Sequence, residues 1–85
     1  MIKLDVNSKE GSINEMLTFQ EFQIRVNKEL DKFEEKESVF KIKVGQCLFE
    51  TDNLEEFRDM CTISRNNPFL NRAMSEGEKI IIEIN

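Results

Sequence analysis

Ser12-Ile13-Asn14-Glu15-Met16-Leu17 is the stretch on which the fold turns. Read as a strand, it puts Ile13 and Leu17 in phase, with Glu15 between them on the same face. Read as helix, Ser12 and Glu15 form a capping box and the following helix starts six residues sooner. Ile13, Leu17 and Ile24 would then make a second apolar stripe opposite the phenylalanines. The strand is the more economical reading and is preferred.

Downstream of that stretch the pattern is helical. Phe19, Phe22, Val26, Leu30 and Phe33 recur at spacings of 3, 4, 4 and 3, which stacks them on one face. Thr18-Phe19-Gln20-Glu21 reads as a capping box, and Leu17 can staple onto Phe22. The opposite face is assigned Glu21, Arg25, Lys28, Glu29, Lys32, Glu35 and Lys36, with Glu21–Arg25 in the favourable i,i+4 order. Upstream, Ile2-Lys3-Leu4-Asp5-Val6 alternates as a half-buried strand does, and Asn7–Gly11 is turn chemistry.

Beyond the helix, Val39–Val44 alternates with Phe40, Ile42 and Val44 in phase. Gly45-Gln46 fits a two-residue type II′ hairpin loop, and Cys47–Glu50 is the return strand. Asp52 or Asn53 caps a second helix with Leu54, Phe57 and Cys61 inward and Met60 beside them. Asn67-Pro68 marks another helix start, expected to run to Met74. Glu76-Gly77-Glu78 turns the chain into Lys79–Ile84, whose nearly unbroken apolar run predicts a central strand covered on more than one side.

The order ββαββ(α)β resembles the β-grasp roll of ubiquitin-like domains, in element order alone and with no shared motif. The helical reading of residues 12–17 gives βαββαβ, a ferredoxin-like split. Either way the expectation is one small α+β domain over residues 1–85, a mixed sheet with one long helix packed across it.

Composition narrows function mainly by exclusion. The 85 residues are 39% apolar and 34% charged, with three glycines and one proline, which fits a folded chain. The longest apolar run, Ile80-Ile81-Ile82, is far short of the ~18–20 residues of a membrane span. No basic and then apolar leader opens the sequence, so the expected location is cytoplasmic. A chain this short buries only about 60–65% of its unfolded surface, which leaves little core to sacrifice to a catalytic cleft. There is no histidine, the usual base at physiological pH. The glycines are dispersed, so no phosphate cradle is spelled out, and Asp52–Glu56 lacks the calcium-loop run and its glycine. Cys47 and Cys61 have no CxxC spacing and read first as reduced thiols, a single disulfide being the alternative. No cofactor, no metal and no catalysis are expected.

Two surface features remain. The acidic segment Glu50, Asp52, Glu55, Glu56 and Asp59, interrupted only by Arg58, exceeds what helix capping needs, because Glu55 and Asp59 repel at i,i+4. It is the candidate contact for a larger protein with a basic surface. The basic series Lys41, Lys43, Arg58, Arg65 and Arg72 offers a nucleic-acid module as the alternative, but a net charge of −5 and the absence of Tyr and Trp argue against it. The leading expectation is thus a small acidic protein-interaction domain: an adaptor, a regulator or a phage-type inhibitor of a larger protein. A small enzyme or carrier is the remaining alternative.

Overall fold

A hairpin opens the chain. Strand β1 (Ile2–Ser8) pairs antiparallel with β2 (Gly11–Leu17) in unbroken register from Ile2↔Leu17 to Ser8↔Gly11. The stretch from Ser12 to Leu17 is therefore strand, and Asn7 and Ser8 extend β1 where only a turn was expected. The obstacle to the strand reading was Glu15 on an apolar face. Arg25 removes it by reaching the Glu15 carboxylate from the overlying helix at 3.0 Å. The expected Glu21–Arg25 pair is replaced by this contact, while Glu21 turns back to the backbone amide of Thr18 at 2.9 Å. The structure, a computed structural model, describes residues 1–62 and 67–85.

Helix α1 (Phe19–Asp31) starts at the predicted box, with the Thr18 hydroxyl accepting from the Glu21 amide at 3.3 Å. Phe22, Val26 and Leu30 point into the core. Phe19 does not; it is 45% exposed. Helical side chains lean toward the N-terminus, so one in the first turn overshoots the layer the helix covers. Phe33 is buried, yet it belongs to the turn after α1, as do Glu35 and Lys36. Glu29, assigned by pattern to the polar face, is only 6% exposed. It lies one residue from the helical line of Phe22 and Val26, and Lys32 Nζ at 3.2 Å balances its charge.

Strands β3 (Phe40–Val44) and β4 (Cys47–Thr51) form the second hairpin around Gly45, whose φ of +59° suits the first turn position, while Gln46 keeps a negative φ. Asn53, not Asp52, caps α2 (Leu54–Met60), accepting from the Glu56 amide at 2.9 Å. Asn67 caps α3 (Pro68–Glu76), which runs two residues past the expected end and stops at left-handed Gly77. Strand β5 (Ile80–Ile84) then enters the middle of the sheet, parallel to β1 and antiparallel to β3.

Among the described residues the result is a five-stranded mixed sheet in the order β2-β1-β5-β3-β4, with three helices and the long α1 packed against it. Leu4, Val6, Ile42, Ile80 and Ile82 from the sheet meet Phe22, Val26, Leu30 and Phe57 from the helices in one buried cluster. The Phe40 and Phe57 rings stack at 5.3 Å. Central placement of β5 matches its apolar run, but cover on both sides does not. Ile81 is half-buried, and its neighbours on that face, Lys43 and Leu48, are exposed.

Candidate acidic groove

Two segments that are far apart in sequence meet beside Phe40. The first is the turn after α1. It is tied down by the Phe33 amide donating to the Leu30 carbonyl at 2.9 Å, by burial of the Phe33 ring, and by Lys36, which lies over that ring and pairs with Glu10 at 2.7 Å. The second is the β4–α2 junction, where the Thr51 hydroxyl accepts from the Asn53 amide at 3.1 Å and fixes Asp52 and Glu55 ahead of and within the first helical turn.

Between them lies an open groove of about 680 Å³. Phe33, Phe40 and Leu54 form its apolar side, and Glu34, Glu35, Glu37, Asp52 and Glu55 bring carboxylates to it. Glu37 and Asp52 also line the adjoining hollow, where Val39 is 37% exposed. Arg58 explains why the wall holds its shape. Its guanidinium, half-buried between α1 and α2, donates to Asn27 Oδ1 at 3.1 Å, to Asp31, and to Glu34 Oε1 at 3.2 Å. Among the described residues, Glu35, Glu37, Asp52 and Glu55 make no ion pair.

The acidic segment read from sequence is thereby split. Asp52 and Glu55 line the groove. Glu56 and Asp59 are exposed on α2 outside it. Glu50 is elsewhere: it sits across from Lys41 on the sheet face away from the helices, 3.8 Å from that ammonium. Alternation along β4 sends Glu50 outward because Phe49 and Thr51 face the core side. What the sequence reading missed is the second wall. The helical pattern assigns Glu35 and Lys36 of Glu34-Glu35-Lys36-Glu37 to helix surface, and the signal for a wall there is the high acid content just past Phe33.

The basic series does not assemble. Lys41 lies between Glu50 and Glu83 in register, Lys43 faces Leu48 and Ile81, and Lys79 pairs with Asp5 at 3.1 Å, so the open sheet face alternates in sign. Arg58 is held by Asp31 at the end of α1 and Glu34 in the turn after it, and Arg72 pairs with Glu76 at 3.2 Å. Arg65 lies outside the described residues.

Cys47 and Cys61 are both free. Burial pushes the Cys61 thiol up to about 12, whereas Cys47 is half-buried beside Arg72. Among the described residues, no three His, Cys, Asp or Glu side chains group as metal ligands, and no helix is long and apolar enough to cross a membrane. No family model, curated protein or solved structure matches this chain.

Proposed function

We propose that the chain is a non-catalytic protein-binding domain that docks a basic segment of a larger protein in the groove between the α1–β3 turn and the β4–α2 junction. One observation carries the reading: the net charge is segregated. Residues 31–37 and 50–59 hold nine of the seventeen acids but only three of the twelve bases, and of these Glu34, Glu35, Glu37, Asp52 and Glu55 line the groove beside a single base, Lys36. Like charges kept this close are unfavourable for folding, and Arg58 offsets only Asp31 and Glu34. A partner supplying lysine or arginine relieves that repulsion, and an apolar residue between its charges has the half-buried Leu54 to rest on. Such a domain regulates or inhibits by covering a surface. Its two free thiols fit a reducing, cytoplasmic setting.

The test starts with affinity capture from the native cell to obtain the partner, followed by binding kinetics at low and high salt. Glu35→Lys with Asp52→Lys is expected to weaken binding about tenfold or more. Most of the loss should fall on the association rate and shrink as salt shortens the screening length to below about 8–10 Å. Lys41→Glu with Lys43→Glu on the open sheet face should leave binding unchanged. The opposite pattern, with the lysine pair essential and the acidic pair silent, refutes the reading and favours a nucleic-acid or sheet-face contact.

A further inference from the structure

Arg58 stands behind the acidic groove and does not line it. Its side chain is 18% exposed between α1 and α2. One terminal nitrogen donates to Asn27 Oδ1 at 3.1 Å; the other donates to Asp31 and, at 3.2 Å, to Glu34 Oε1. Glu34 belongs to both places. It lines the groove, and its side chain is 60% exposed. Lys36 also lines the groove, but its partner is Glu10, outside it. Among the described residues, Arg58 is thus the one base that forms an ion pair with a groove carboxylate.

We propose that Arg58 is a positioning residue that competes, from inside the chain, with the bases of whatever docks in the groove. It acts through Glu34, holding that carboxylate by a charge-assisted hydrogen bond that an incoming lysine or arginine must share or break. Glu34 therefore adds little to binding, and the four carboxylates without an ion pair, Glu35, Glu37, Asp52 and Glu55, carry it. This role rests on the groove docking a basic segment.

Burial decides which way the competition runs. A half-buried cation is costly to leave unpaired, whereas an exposed carboxylate has water to fall back on. The chain therefore gains more from Glu34 on Arg58 than a water-exposed partner base gains from taking it. Asn27 and Asp31 stay on the guanidinium if Glu34 leaves, so the competition lowers affinity without closing the site. Nor does the groove depend on this bond for its walls. The turn after α1 keeps its Phe33–Leu30 hydrogen bond and the Lys36–Glu10 pair, and Phe57 seats α2 in the core. Loss of Arg58 should then free Glu34 and tighten binding, where a purely supporting residue would loosen it.

A double-mutant cycle on the full chain tests this, with the peptide acetyl-Lys-Leu-Lys-Leu-Lys-amide as probe and NMR titration as readout. Glu34→Gln alone should change affinity by less than about twofold, and Glu35→Gln should weaken it more. Arg58→Gln should tighten binding about two- to fivefold, the range of an exposed ion pair, and in that background Glu34→Gln should cost the same factor. Lys36→Gln removes a charge that no groove carboxylate holds, so Glu34→Gln should stay nearly silent beside it. A thermal melt checks the fold of Arg58→Gln; Glu34→Gln and Glu35→Gln alter exposed side chains and test the proposal without it. Equal losses from those two overturn it. So does weaker binding by a folded Arg58→Gln, or additivity of the Arg58 and Glu34 substitutions. If the probe ignores Glu35→Lys with Asp52→Lys, the groove reading itself fails, and this role with it.

Discussion

Replacing Phe57 by alanine is the sharpest test of how the groove is held. α2 has seven residues, well under the ~12–15 an isolated helix needs, so it stays helical only through what it packs against. Phe57 is its one buried side chain within Leu54–Met60, fully enclosed and stacked on Phe40. Emptying such a site costs about 3–5 kcal/mol. The whole 85-residue domain has about 4–13 kcal/mol of stability at ordinary per-residue values. Phe57→Ala should therefore consume about a quarter of that or more. The melting temperature should drop by roughly 4–8 °C for each kcal/mol lost. Urea titration by circular dichroism measures the loss, and amide exchange over residues 54–61 locates it. Partner binding should go with it, because the first turn of α2 is one wall of the groove. Phe57→Leu, nearer in volume, should cost under about 1.5 kcal/mol. If Phe57→Ala also costs under about 1.5 kcal/mol and the α2 amides stay protected, then Arg58 and the Asn53 cap hold the helix, and the packing argument is wrong.

Thr18→Ala should cost about 1 kcal/mol by removing the α1 cap, whereas Ser12→Ala, on a strand edge, should cost far less; denaturant midpoints compare them. The Thr18 backbone amide, and after it the Thr18 hydroxyl, hold the Glu21 carboxylate below its usual range, so the stability it adds is present at neutral pH and lost as pH falls below about 4. Glu21→Gln keeps a side chain that fits the box but should flatten that acid limb; an unchanged limb would place the titration elsewhere. At pH 8 iodoacetamide should label Cys47 in the folded protein and reach Cys61 only on unfolding, since burial keeps the Cys61 thiol protonated; equal labelling rates would contradict this.

The elements were legible wherever local chemistry is decisive. The Thr18–Glu21 box, the Asn67-Pro68 start, the Gly45 turn and the phase of Phe40, Ile42 and Val44 each follow from backbone or packing rules that act within a few residues. The strand at Ser12–Leu17 was legible as a preference only, because the residue that reconciles Glu15 with that face, Arg25, sits on another element. The exposure of Phe19 and the burial of Glu29 were not legible at all. Periodicity fixes an angle around the helix axis, not where along the axis the sheet begins and ends. The candidate site divided in the same way. Asp52 and Glu55 were visible as a dense acidic run, but Glu34, Glu35 and Glu37 join them only after β3 and β4 fold back beside the end of α1. Glu50 belonged to the run in sequence and left it in space, because one step along a strand reverses the face.

The position of β5 has a consequence for synthesis. β1 touches β2 on one side, β3 touches β4 on one side, and the two hairpins share no hydrogen-bonded border except through β5. A ribosome that has released everything up to Gly77 has therefore made two hairpins, each marginal alone, and no sheet. The two hairpins cannot be joined until Ile80–Ile84 emerges, so completion of the sheet waits for this strand and then proceeds as a single zipper closing on both sides of it. Until then Leu4, Val6, Ile42 and Val44 stay open to chaperones and proteases, and the cell's quality control meets this chain as a client before it meets it as a domain.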